Sequence, residues 1–155
     1  MFEDLEAQAS FRPSSENPIA CLLAESRSAR VGWGAEGIVV TNLVFGKDFL
    51  LSLSAQSVFV LPFAAIEQLE LRSAGGQVSR RVDLRMREWL NLNWAHFQMA
   101  LRFRHSSESI SARFVDCDED WLLIETCEDM KQILVGLKSV GLIELVPVDS
   151  FGEAG

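Results

Sequence analysis

The chain makes one statement twice. Its first half carries GIVVTNLVFGKDFLLSL from Gly37 and SVFVLPFAAIEQLEL to Leu71; its second carries SISARFVDCDEDWLLIE from Ser109 and QILVGLKSVGLIEL to Leu145. Ile38 falls on Ile110, Asp48 on Asp120, Phe49 on Trp121, and Leu50-Leu51 on Leu122-Leu123. After a small length change, Pro62 falls on Gly136, Ile66 on Val140, and Glu70-Leu71 on Glu144-Leu145. A repeat of this size means two copies of one supersecondary unit, each needing its neighbour to bury its apolar face. It constrains the architecture far more than the chemistry.

With 155 residues, 48% of them hydrophobic, the chain fits one compact domain or two very small ones. A net charge of -8 gives no overall attraction to nucleic acid or anionic lipid. The charge is unevenly spread: residues 72–113 hold three acids and eight bases, and residues 114–155 hold ten acids and two bases. Complementarity between neighbouring elements accounts for this, and a basic patch for an acidic partner is the sharper alternative. The acidic start (Glu3, Asp4, Glu6) does not read as a secretory signal, and the longest apolar runs are strand-sized, too short to span a membrane. Cys21, Cys117 and Cys127 are odd in number and lack C-x-x-C spacing, which suits reduced thiols in a cytoplasmic protein.

Residues 2–9 read as a short acidic helix, and Asn17-Pro18 as an N-cap with proline at the first helical position of a second helix packing Ile19, Leu22 and Leu23. Strands are expected at 27–33, at 38–45 as one long curved strand, and at 49–53, 57–61 and 68–71, with a 3₁₀ turn at 62–66. Ser73-Ala74-Gly75-Gly76 is the best linker. Val82, Met86, Trp89 and Leu90 form one stripe at helical spacing, predicting a helix over 78–93. Strands follow at 97–104, 110–115, 121–125, 132–135 and 142–146, with turns at 116–120 and 136–140. Asp48 and Asp120 are expected to cap their own turns.

A helix followed by five strands, the second long and bent, resembles the Sm-like small β-barrel. The hairpin Gly46-Lys47-Asp48-Phe49 and the turn Leu61-Pro62-Phe63-Ala64-Ala65-Ile66 are similar to those of actinobacterial proteins of unassigned function that carry two divergent barrels in tandem. Asp120-Trp121-Leu122-Leu123 and Val135-Gly136-Leu137-Lys138-Ser139-Val140 carry the likeness in the second unit, with glycine where proline is expected. The resemblance implies a mainly β fold: two tandem five-stranded Sm-like barrels, each preceded by a short α-helix. Its boundaries are an N-terminal extension (1–16), a first barrel unit (17–72), a linker (73–79), a second barrel unit (80–146) and a flexible tail (147–155). Such barrels bury their open edges against the next barrel, with 57–61 and 132–135 as the expected pairing edges in a pseudo-dimer. Sm rings bind RNA through an asparagine at the start of the third strand and a cation-glycine pair after the fourth. Here those positions read Phe49-Leu50-Leu51 and Trp121-Leu122-Leu123, then Leu61-Pro62 and Val135-Gly136, so amide and cation are missing from both units.

The remaining chemistry is sparse. Asp116, Asp118 and Asp120 alternate as in a calcium loop, but that loop needs glycine at its sixth position and glutamate at its twelfth, where this chain has Trp121 and Cys127. His96 and His105 have no ligand at zinc spacing, and acids beside Cys117 should raise its pKa and oppose thiolate chemistry. No cofactor, metal or catalytic site is expected, and the chain reads as no enzyme. The one polyanion candidate is the basic set Arg80, Arg81, Arg85, Arg87, Arg102 and Arg104, with Arg113 beside it and Trp89 and Trp94 for stacking. The expected partner is protein, either another chain or a second copy in a homo-oligomer. Nucleic-acid binding through the arginine helix and a small-ligand sensor between the barrels stand as alternatives.

Overall fold

The computed structural model describes residues 18–33, 36–54, 57–93, 97–104, 106 and 108–147. The expected helix at 2–9, Asn17, Trp94, His96, His105 and the tail from 148 onward lie outside these residues. Helix α1 (Pro18–Glu25) leads into β1 (Ser28–Trp33), β2 (Glu36–Thr41), β3 (Leu43–Phe45), β4 (Phe49–Leu53) and β5 (Val58–Pro62). A 3₁₀ turn, Phe63–Ala65, and β6 (Gln68–Arg72) complete the first unit. After β7 (Arg80–Arg81) come α2 (Met86–Asn93), β8 (Phe97–Phe103), β9 (Ser109–Cys117), β10 (Trp121–Thr126) and β11 (Gln132–Gly136). A second 3₁₀ turn, Leu137–Ser139, and β12 (Val140–Pro147) close the order.

The repeat holds at the level of single hydrogen bonds. In the β4–β5 hairpin Phe49 faces Pro62, Leu50 Leu61 and Leu51 Val60; in β10–β11 Trp121 faces Gly136, Leu122 Val135 and Leu123 Leu134. The preceding tips, β3 to β4 and β9 to β10, also close alike, Gly46 N–H donating to Phe49 O at 2.8 Å and Asp118 N–H to Trp121 O at 2.9 Å. Phe63 and Leu137 each open their 3₁₀ turn by donating to the carbonyl of Asp48 or Asp120, both at 2.9 Å. Glycine is required at position 46, because a Cβ there would lie 2.0 Å from the Phe49 ring that folds back over the tip.

The strands form two open sheets of mainly antiparallel strands, one of order β2-β1-β6 and one of order β11-β10-β9-β8-β12-β5-β4-β3-β7. The expected long strand at 38–45 is broken at Asn42, whose φ of 53° lies in the left-handed region. There the chain leaves the small sheet and enters the large one. Asparagine tolerates this region better than most side chains, and its amide ties the bend to β4 by donating to Leu53 O at 3.1 Å. The two units join where β12 pairs with β5, Ile143 opposite Val60, Glu144 opposite Phe59 and Leu145 opposite Val58. The expected edge at 57–61 is therefore used, while β11 at 132–136 pairs only with β10.

The helix expected over 78–93 is shorter. Arg80 and Arg81 lie in β7, parallel to Val44 and Phe45 of β3, and Val82 N–H donates to Phe45 O at 2.9 Å. Docking on the first unit overrides local helical periodicity up to residue 85. The helix starts at Met86 because two carboxylates satisfy its first donors. Asp48 accepts from Met86 N–H at 2.7 Å, and Glu88 reaches back to Arg85 N–H at 2.9 Å. Asp48 thus caps the next helix, not its own turn. In the second unit the turn is held by Asp118, whose Oδ1 accepts from Asp120 N–H and Trp121 N–H at 2.8 and 2.7 Å.

Two apolar clusters result. One fills the first unit with Val31, Val40, Leu43, Leu50 and Leu61, and takes in Leu142 from β12. The larger joins the second unit's interior (Leu101, Phe114, Leu122, Ile124, Val140) to Phe49, Leu51 and Val60 of the first, with Met86 and Leu90 of α2. Removing the Asp48 cap should therefore cost what removing the equivalent Asp120 does not. Asp48→Ala is expected to lower unfolding free energy by about 1 kcal/mol and Asp120→Ala by less than about 0.5 kcal/mol, read from urea denaturation of both.

Candidate functional site

The six candidate arginines do not form one face. Arg80 and Arg81 sit exposed on β7 at the end of the large sheet, and Arg102 is exposed on β8. Arg87 alone lies in α2, and its guanidinium donates to both carboxylate oxygens of Asp116, at 2.8 and 3.4 Å. Arg85 lies 4.0 Å from Glu119. Arg104 reaches back to the first unit, pairing with Glu67, and donates to Lys138 O at 2.9 Å. Arg113, exposed on β9, faces Glu125 across the β9–β10 pairing. The acidic turn at 116–120 thus lies against the start of α2 and pairs with two of the six candidate arginines, Arg85 and Arg87. Such exposed pairs add little stability, but they remove charge from any polyanion surface.

The same turn is occupied by this pairing and by its own backbone hydrogen bonds, which hold the Asp118 carboxyl below the usual carboxylate range. Among the described residues no group of three or more His, Cys, Asp or Glu is placed to hold a metal ion. Cys117 is buried at the end of β9, and its thiol is pushed from 9.0 up to about 12, first by burial and then by the charges of Asp116 and Asp48. Cys127 is exposed, its Sγ accepting from Gln98 Nε2 at 3.1 Å. The seam between the two 3₁₀ turns holds a cleft of about 150 Å³ lined by Asp48, Pro62, Phe63, Arg85, Met86 and Glu119, below the roughly 300 Å³ at which small-molecule pockets begin. Among the described residues, no helix is long and apolar enough to cross a membrane.

Comparing the copies shows an apolar surface beside the expected pairing edge at 132–135 that the sequence did not single out. Phe49 and Val60 are each 0% exposed, whereas their counterparts Trp121 and Leu134 are 47% and 59% exposed. Leu51 is buried, while its counterpart Leu123 is half-buried. The first trio is covered because β12 pairs beyond it and because Trp89 of α2 lies on Phe49, ring centroids 6.2 Å apart. Nothing among the described residues does this for the second trio, and beside it Ile133 is also exposed on the unpaired edge of β11. The helices differ in the same way. α2 buries Met86 and Leu90, whereas α1 buries no residue, with Ile19 and Leu22 72% and 57% exposed instead of packed as expected. The signal was present in the sequence as Trp121 and Leu134 repeating core positions of the first unit, but only the pairing of β12 with β5 shows which copy is covered.

The Cys117 environment fixes a pH dependence. A pKa raised from 9.0 to about 12 contributes stability that is fully present below pH 9 and is lost as pH rises toward 12. Unfolding monitored by circular dichroism should therefore show stability falling over that window, and less steeply in Cys117→Val. In the native protein at pH 8 a thiol reagent followed by mass spectrometry should modify Cys127 and spare Cys117. Among known proteins, no family model matches this chain, and no curated protein or solved structure matches it either.

Proposed function

We propose that this chain is a non-enzymatic interaction and assembly protein, built from two Sm-like small β-barrel units that pair edge to edge. One observation carries the reading: among the described residues the large sheet ends at β11 in an unpaired backbone edge, beside which Trp121 and Leu134 are exposed and Leu123 is half-buried. Natural sheets blunt exposed edges with charge, proline or a cover. Gln132-Ile133-Leu134-Val135-Gly136 carries no charge or proline. An extended polypeptide added to such an edge gains main-chain hydrogen bonds and a place for its apolar side chains. The barrel reading is supported by the order helix, strand, bent strand, hairpin, 3₁₀ turn, strand that recurs in both units.

Nucleic-acid binding has weaker support, since Arg85, Arg87 and Arg104 are paired within the chain and the Sm-type asparagine and cation are absent from both units. Two measurements test the choice. Fluorescence anisotropy with labelled mixed-sequence RNA and DNA should show no binding that weakens with added salt; a clear salt slope overturns the proposal. Immobilised wild-type protein should retain polypeptide partners from its source cell that Leu134→Lys does not retain. Retention unaffected by Leu134→Lys overturns the use of β11.

A further inference from the structure

We infer that the groove between α1 and β7 holds the acidic segment Phe2-Glu3-Asp4-Leu5-Glu6 of the same chain. This groove lies at the opposite end of the large sheet from β11, and its occupant is independent of the assembly reading. α1 buries no residue, although Pro18-Ile19-Ala20-Cys21-Leu22-Leu23-Ala24-Glu25 is almost wholly apolar. Polar contacts fix it instead: the hydroxyls of Ser26 and Ser79 both donate to the carbonyl of Leu23. Between helix and strand remains a cleft of about 130 Å³, with Ala20, Leu23, Ala24 and Phe45 as its apolar lining and Arg80 and Arg81 as its basic one. It is smaller than the roughly 300 Å³ of small-molecule pockets and suits a single apolar side chain. Both arginines are exposed, and neither side chain has a hydrogen bond or ion pair among the described residues. Arg85, Arg87 and Arg104, by contrast, each meet a carboxylate. An occupant of this cleft must therefore carry acids beside an apolar side chain.

Two stretches outside the described residues have that composition, Phe2-Glu3-Asp4-Leu5-Glu6 and Asp149-Ser150-Phe151-Gly152-Glu153. Connectivity decides between them. The second follows β12, which β5, β4 and β3 separate from β7. The first precedes α1, the helix that walls the cleft. Residues 7–17 can span up to about 35 Å, against a length of about 12 Å for α1, so Leu5 can return to the level of Ala24. Tethering also favours this segment over a free partner. Exposed ion pairs are individually weak, but a short tether holds its occupant at about millimolar effective concentration. Phe2 and Leu5 supply the apolar side chain, and Glu3, Asp4 and Glu6 the charges that Arg80 and Arg81 lack.

Cross-linking tests the contact in the full chain. In a background of Cys21→Ser and Cys127→Ser, Leu5→Cys with Ala24→Cys should close a disulfide within one chain under mild oxidation, followed by peptide mass mapping. Arg80→Glu with Arg81→Glu should slow closure about tenfold, and adding Glu3→Lys, Asp4→Lys and Glu6→Lys should restore it. Added salt should slow closure in the unswapped chain. If circular dichroism shows that the arginine variant does not fold, Glu3→Gln, Asp4→Asn and Glu6→Gln against the native arginines should slow closure in its place. Closure that ignores these charges overturns the inference. So does closure as fast from Phe151→Cys as from Leu5→Cys, a disulfide that joins two chains instead of closing within one, or no disulfide at all.

Discussion

The pairing of β12 with β5 is the interaction on which the rest of the molecule depends. It is only three residue pairs long, Ile143–Val60, Glu144–Phe59 and Leu145–Val58, yet it turns two small units into one large sheet running from β11 to β7. Without it, β5 and β12 would both present open edges, and the face bearing Phe49, Leu51 and Val60 would lose its cover. Full burial of such side chains contributes roughly 1.5–3 kcal/mol each, so the cluster that crosses between the units outweighs any exposed ion pair between them. The larger core is accordingly built from both units, while the smaller one borrows Leu142 from β12. Neither half of the chain holds a complete core by itself.

Polar contacts position this junction. Asp48 holds the start of α2 against the tip of the β3–β4 hairpin, and Lys47 N–H donates to Leu84 O at 2.8 Å beside it. Arg104 crosses the seam in the other direction, from the end of β8 to Glu67 before β6. The linker is fixed to the first unit in turn: Ser28 donates to Ala74 O at 2.6 Å, and Ser79 N–H to Ser26 O at 2.8 Å. Gly75 and Gly76, with φ of 87° and 94°, let the chain turn tightly enough to stay there. A stretch that looks in sequence like a flexible tether between domains is a strap whose course sets where α2 begins.

Much of the fold was legible in the sequence because it is carried by local pattern. Alternating apolar positions and turn residues located the strands, both 3₁₀ turns and the repeat, and the register of β4–β5 against β10–β11 follows the sequence correspondence residue by residue. The failures are tertiary. Helical spacing over 78–85 lost to pairing with β3, and the long strand at 38–45 broke at Asn42 where two sheets diverge. The arginine set was read on the assumption that four of its members shared a helix; Arg80 and Arg81 lie instead in a strand, and Arg87 meets Asp116. That Trp121 and Leu134 stand exposed was not legible for the opposite reason, although 132–135 was expected as a pairing edge. Both residues look like core, and only the direction of the inter-unit pairing decides which copy is covered.

That direction bears on why a duplicated unit keeps an apolar edge at all. An exposed strand is normally protected by charge, and β6 carries Gln68, Glu70 and Arg72 on exposed positions, which could be read as such protection. The internal pairing argues otherwise. β12 carries Glu144 at the position equivalent to Glu70, and it is nonetheless paired on both sides, with β8 and with β5. A carboxylate at this position is compatible with strand addition because it projects from the sheet face and leaves the backbone edge free. β11 lacks even that feature, its centre being Ile133-Leu134-Val135. The apolar residues of β6, Leu69 and Leu71, pack against the first unit's core, so the exposed apolar edge lies at β11.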